Sequence, residues 1–135
     1  MHPYENLEAW KCYHELALAV YDATRSFPPE ERYGLVSQAR RAAFSAPAAI
    51  AEGGAKRGSR EFRRYLDVAL GSLSELSYTL LLSRDLELIS KGEWERLDAL
   101  QTKAGRLTWG LYKWASEGGR TGKTQPSNHQ ALKPS

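Results

Sequence analysis

Apolar residues recur three and four positions apart in four stretches of this 135-residue chain, which predicts four amphipathic helices. The first runs from about Leu7 to Thr24, with Trp10, Tyr13, Ala17, Val20 and Thr24 on one face and Asn6 as its N-cap. Phe27, Pro28 and Pro29 stop it, and Glu30 and Glu31 suit the first turn of the next helix. That second helix extends to Gly53, with Leu35, Ala39, Ala42, Ala46 and either Ala49 or Ile50 as its seam. The third starts at Ser59 as N-cap and ends near Leu86 or Leu88, with Phe62, Leu66, Ala69, Leu73, Leu76 and Leu80 alternating four and three apart. Ser90, with Glu93 three residues on, forms a capping box for the fourth. Trp94, Leu97, Leu100, Ala104, Leu107, Leu111 and Trp114 form its seam.

Several positions refine this pattern. Pro47 lies inside the second helix and predicts a kink between Ala43 and Pro47, with Ser45 available to bond a freed carbonyl. Gly53 and Gly54 suit a left-handed helix end, and Gly71 suits a close helix contact. The connections leave no room for a crossover. The expected fold is therefore all-α: an antiparallel up-down-up-down left-handed four-helix bundle over residues 1–115. Residues 116–135 are rich in Gly, Ser, Thr, Lys and Pro, lack a core-forming pattern and are expected to be a disordered, mildly basic tail.

Composition narrows the function classes. Hydrophobic content of 41% supports a real core in one domain. The single cysteine, Cys12, cannot form an internal disulfide and reads as a packed thiol. No run is apolar enough to span a bilayer and no signal peptide opens the chain, so a cytoplasmic protein with no membrane partner is expected. The net charge of +3 is modest, and its distribution matters more. Arg40, Arg41, Lys56, Arg57, Arg60, Arg63 and Arg64 crowd the second helix, the following turn and the start of the third.

Arginines in the first turns of a helix oppose the partial positive charge of its dipole. Arg60, Arg63 and Arg64 make sense there if an anion binds, and the phosphates of a nucleic acid are the natural candidate. A solvated surface, with Glu61 and Asp67 paired to neighbouring arginines, also fits the residues. No helix-turn-helix or RNA-recognition motif is present, which limits the expectation to backbone contacts with little sequence preference.

Other constellations reduce to structure. Glu52 and Glu75 could serve as metal ligands or an acid–base pair, but the only histidine within the helices, His14, lacks a glutamate three residues before it. A structural role for both glutamates, as with Arg41, is expected instead, and no metal or cofactor. Gly118–Thr124 resembles a phosphate-binding loop, yet Glu117 occupies the position of its first glycine and no strand precedes it. Trp109, Tyr112 and Tyr65 lie off the seams and suggest a second buried face through self-association, unless the core stripe is wide enough to include them.

The order Trp10, Phe27-Pro28, Tyr33-Gly34-Leu35, Gln38, Arg40-Arg41-Ala42, Ser45-Ala46-Pro47 and Ile50-Ala51-Glu52-Gly53 carries a family resemblance. Arg60, Phe62, Leu70-Gly71-Ser72-Leu73 and Glu75-Leu76 extend it. With these motifs the chain resembles the four-helix-bundle proteins encoded in intervening sequences of bacterial 23S ribosomal RNA genes. An accessory protein of diversity-generating retroelements is related to them. The resemblance spans nearly the whole bundle and omits the tail. It implies a homopentamer with a basic surface, a nucleic-acid-associated role and no enzyme activity. Ala49 stands where that family usually carries asparagine.

The resulting expectation is a non-enzymatic, self-associating bundle that binds nucleic acid, RNA in preference to DNA, through the seven basic residues named above. A protein scaffold or accessory subunit for a nucleic-acid-processing enzyme, such as a reverse transcriptase, is the alternative. A metal-dependent bundle enzyme is disfavoured by the histidine count.

Overall fold

The computed structural model describes residues 2–118, and among them the chain is helical without a strand. Four helices pack together: α1 (Glu8–Thr24), α2 (Leu35–Gly54), α3 (Ser59–Asp85) and α4 (Lys91–Ser116). Single 3-10 turns at Pro3–Asn6 and Pro29–Glu31 precede α1 and α2. The predicted tail from Gly119 onward, with most of the loop-like Gly118–Thr124 segment, lies outside the described residues.

The helix boundaries follow local chemistry. Asn6 is not the cap of α1, because it closes the 3-10 turn and Leu7 takes the cap position. The start of α2 lies five residues beyond the predicted Glu30: Pro29–Glu31 turn separately, and the Glu31 carboxylate accepts the Leu35 N–H at 3.1 Å. α2 runs on through Pro47, and Ser45 accepts a hydrogen bond from the Ser72 hydroxyl at 2.8 Å. Gly58, with φ +82°, caps α3 one residue before the predicted Ser59. The Ser90–Glu93 capping box of α4 forms as expected, with the Glu93 N–H donating to Ser90 Oγ at 3.1 Å. α3 ends in a Schellman turn: the Leu88 N–H reaches the Ser83 carbonyl at 2.9 Å, with Glu87 left-handed at φ 63° where glycine is usual.

The core is a continuous cluster from all four helices. Tyr13, Leu16, Val20, Ile50, Phe62, Leu66, Leu76, Leu80, Leu97, Leu107 and Leu111 are all buried. The inward face of α1 is wider than the predicted stripe, since Ala9, Cys12, Leu16, Ala19 and Ala23 join it. Cys12 is packed, its thiol reaching the Leu100 carbonyl at 3.5 Å, and burial pushes its pKa up. Thr108 donates to the Ala104 carbonyl at 2.7 Å, so the Tyr13 hydroxyl donates to Thr108 at 2.8 Å. Burial raises the Tyr13 pKa to about 12.

The α2–α3 contact is built from small residues. Partners descend along α3 as they rise along α2: Arg41 meets Glu75, Ser45 meets Ser72, and Glu52 meets Tyr65. Gly53 is not a left-handed helix end. It is a point of close approach, where an added Cβ would lie 2.7 Å from Tyr65 Cβ. Gly71, by contrast, is exposed and touches nothing within 4 Å of an added Cβ, so it marks no close contact within the chain.

Candidate nucleic-acid interface

The turn between α2 and α3 spans residues 55–58. Ala55 and Lys56 fold back onto the end of α2, their N–H groups donating to Glu52 and Gly53 carbonyls at 3.1 Å. Gly58 then turns the chain at φ +82° and ψ 155°, a backbone conformation open essentially to glycine. Its carbonyl receives the Phe62 N–H at 3.3 Å and so starts α3. Phe62 anchors that start in the core, edge-on to Trp114 of α4 at 6.2 Å between centroids. The basic turn is therefore held beside the end of α4.

Tyr65 orders the cations around the turn. Gly53 admits its Cβ, and its hydroxyl donates to Glu52 at 3.2 Å. Lys56 Nζ lies 6.0 Å and the Arg64 guanidinium 5.0 Å from its ring centroid. Arg64 also reaches Glu61 at 3.4 Å, but both side chains are largely open to solvent and the pair is weak. Arg57 and Arg60 are exposed and have no partner among the described residues. Arg63 is half-buried, and its Nε is enclosed with no hydrogen-bond partner among the described residues. Arg60, Arg63 and Arg64 share one helix face by their three- and four-residue spacing. With Glu61, Asp67 and Tyr112 of α4 they line a groove of about 440 Å³.

Arg40 and Arg41 do not belong to this cluster. They lie near the start of α2, about 20 Å from its end at 1.5 Å per residue. Arg40 ties α2 to the end of α1: its Nε donates to Thr24 Oγ1 at 3.0 Å, an Nη donates to the Tyr21 carbonyl at 3.2 Å, and the guanidinium covers the Tyr21 ring at 4.5 Å. Arg41 forms an ion pair with Glu75 and donates to Gln38 at 2.8 Å. The seven predicted contacts thus divide into a turn cluster of five and a bracing pair. Glu52 and Glu75 have the structural partners expected of them. His14 stacks on Trp10 at 5.0 Å with the rings nearly parallel.

The sequence pattern described as 23S rRNA-intervening sequence protein matches residues 5–110. The chain belongs to that family. The matched stretch contains all of α2 and α3, and hence every candidate arginine of this family member. Ala49 is buried with only 4% exposed, and its methyl side chain makes no polar contact. Comparison with curated proteins gave no match. Among the described residues no group of three or more His, Cys, Asp or Glu is placed to hold a metal ion, and no helix is long and apolar enough to cross a membrane.

Sequence reasoning missed two residues of the interface. Tyr65 and Tyr112 were visible only as aromatics off the seams. For Tyr65 the signal was its spacing: it follows Arg64 directly and faces Gly53 across a short turn. Tyr112 comes from α4, and nothing local in the sequence connects it with Arg60.

Proposed function

We propose that this protein is a non-enzymatic, self-associating bundle that binds nucleic acid, RNA in preference to DNA, through the turn between α2 and α3. One observation carries the reading: Arg57 and Arg60 have no partner among the described residues, beside Arg63, Arg64 and Lys56 on a turn set by Gly58 and anchored by Phe62. Such cations gain most from phosphates, whose bound counterions they release. In this reading the bundle is up-down-up-down and left-handed; the descending α2–α3 partners and the Phe62–Trp114 contact support its antiparallel neighbours.

Self-association is supported by the outer side of α2. Phe44, 65% exposed, stands between two grooves. The larger, about 460 Å³, is lined by Tyr4, Trp10, Leu18, Tyr21 and Pro47 among others and is almost wholly apolar. A helix apolar on both faces calls for cover on both. A homopentamer, implied by the family resemblance, would provide it and would repeat the basic turn around a ring, multiplying a weak contact by avidity. The same groove favours a second reading, an accessory subunit that docks on a nucleic-acid-processing enzyme.

The test is binding of labelled structured RNA and duplex DNA across a salt series, with a variant carrying Arg57→Glu, Arg60→Glu and Arg64→Glu. Tight, salt-sensitive binding that the variant loses supports the turn as the working surface. No binding by the wild type at low salt overturns it. Sedimentation velocity of a Phe44→Glu variant tests assembly: a shift to monomer is expected, and an unchanged oligomer refutes the α2 interface.

A further inference from the structure

The groove beside the turn holds more than cations. Arg60, Arg63 and Arg64 form its basic side, Tyr112 lines it from α4, and Glu61 and Asp67 complete it. Tyr112 continues outward into Trp109, whose ring meets it edge-on at 5.5 Å between centroids. Trp109 is 59% exposed, and the fold does not use its outer face.

A site for bare phosphate would need only the guanidiniums, and the two carboxylates would weaken it. Aromatic faces beside arginines suit something with a flat apolar body as well as a phosphate. Carboxylates accept hydrogen bonds from the exocyclic amino groups of bases. All three features fit a nucleotide. In a duplex each base is stacked and paired, and only its backbone could reach the arginines. An unpaired strand can lay a base on an aromatic ring while its phosphate remains on the cations. About 440 Å³ falls within the range of single small-molecule pockets.

We propose that the α3–α4 groove takes one unstacked nucleotide of a single-stranded RNA segment, its phosphate on Arg60 and Arg64 and its base against Tyr112, with Trp109 as the platform for a neighbouring base. This rests on the nucleic-acid reading above and sharpens it, since the preferred ligand becomes an unpaired strand. Arg63 lines the same groove and adds to its positive charge.

The experiment compares a short unstructured single-stranded RNA with an RNA duplex of equal length, by fluorescence anisotropy over a salt series. The proteins are the full chain, Tyr112→Leu, Trp109→Leu and the turn charge-reversal variant. Leucine keeps the apolar packing at position 112, and Trp109 is exposed enough to change without disturbing the core. The wild type is expected to prefer the single strand, and each aromatic substitution to weaken single-strand binding roughly tenfold. Duplex affinity, the salt slope and the sedimentation coefficient should be unchanged. Equal affinity for both RNAs, with no loss in either aromatic variant, overturns the nucleotide groove and leaves the turn reading intact. Loss in Trp109→Leu together with a smaller sedimentation coefficient also overturns it, because Trp109 would then serve contact between copies. No binding of either RNA by the wild type overturns both readings.

Discussion

Arg40 and Arg60 both lie in the hairpin of α2 and α3, and the fold treats them differently. Arg40 has its guanidinium over the Tyr21 ring and two hydrogen bonds to the end of α1. Arg60 faces a groove with no partner among the described residues. The difference comes from what lies opposite. Beside Arg40 a helix ends, and its last carbonyls and a buried threonine need donors. Beside Arg60 a helix begins, where the free backbone groups are donors and a cation finds nothing to satisfy. Arginine at a helix C-terminus thus has a partner supplied by the backbone. At a helix N-terminus it needs one from outside the chain.

The largest effect that separates the two sets is on binding. Changing Arg57, Arg60 and Arg64 to Glu should weaken RNA binding at least a hundredfold at low salt, about 2.7 kcal/mol. The slope of log affinity against log salt should fall by roughly two to three if each arginine meets one phosphate. The melting temperature should not fall, since acidic residues suit the first turns of α3 better than arginines do and the Arg64–Glu61 pair that is lost is exposed and weak. A variant that binds poorly because it melts early would erase the distinction.

Alkaline pH tests the folding side of the comparison by itself, through a core tyrosine away from both sets of arginines. Tyr13 is buried against Thr108, and burial raises its pKa to about 12 from the ordinary value near 10. The fold favours the neutral phenol, so this stabilisation is complete below pH 10 and is lost as pH rises through 12. The loss amounts to about 2–3 kcal/mol. Denaturant titrations at pH 8 and pH 11 should show about half of it, roughly 1.4 kcal/mol, in the wild type and much less in Tyr13→Phe.

The division of the arginines was not legible in the sequence, although most of the fold was. Helix positions followed from apolar spacing, which is local, and the Ser90–Glu93 box and the α3 seam stand as the sequence predicts. Arg40 and Arg60 look alike because their partners are far away: Tyr21 and Thr24 precede Arg40 by a whole connection, and Tyr112 belongs to the last helix. The role of Gly53 was hidden for the same reason. A glycine near a helix end reads as a cap, and only the arrival of Tyr65 shows that close packing demands it.

Gly53 allows the turn cluster to be disturbed without touching a charge. Gly53→Ala puts a Cβ against Tyr65, where both atoms are fixed to backbone, and should cost about 1–3 kcal/mol in chemical denaturation. Tyr65 carries Lys56 and Arg64 on its ring, so RNA affinity should fall as well, by several-fold. Stability and binding falling together here, and separately for Arg60, would show that position as well as charge matters at the turn. Arg40→Ala should give the reverse of the charge-reversal result: about 1–2 kcal/mol less stable, with RNA affinity nearly unchanged. Arg40→Lys should recover little, because one ammonium cannot reach Thr24 and Tyr21 while covering the ring.

Arg41 is the finest test. It pairs with Glu75 across the hairpin, but more than half of its side chain and two-fifths of that of Glu75 are open to solvent. An exposed pair of this kind contributes about 0–1 kcal/mol, and salt reduces it further. A double-mutant cycle of Arg41→Ala and Glu75→Ala should therefore give a coupling below about 1 kcal/mol that fades at high salt. Arg41 then differs from Arg40 in strength and from Arg60 in kind, because its carboxylate partner already lies within the chain. If Arg41→Ala weakened RNA binding as much as a single turn substitution, the bracing pair would have to be returned to the interface, and the boundary between the two sets would move along α2. If only Glu75→Ala changed binding, by strengthening it, Arg41 would be a phosphate contact held in check by its own partner.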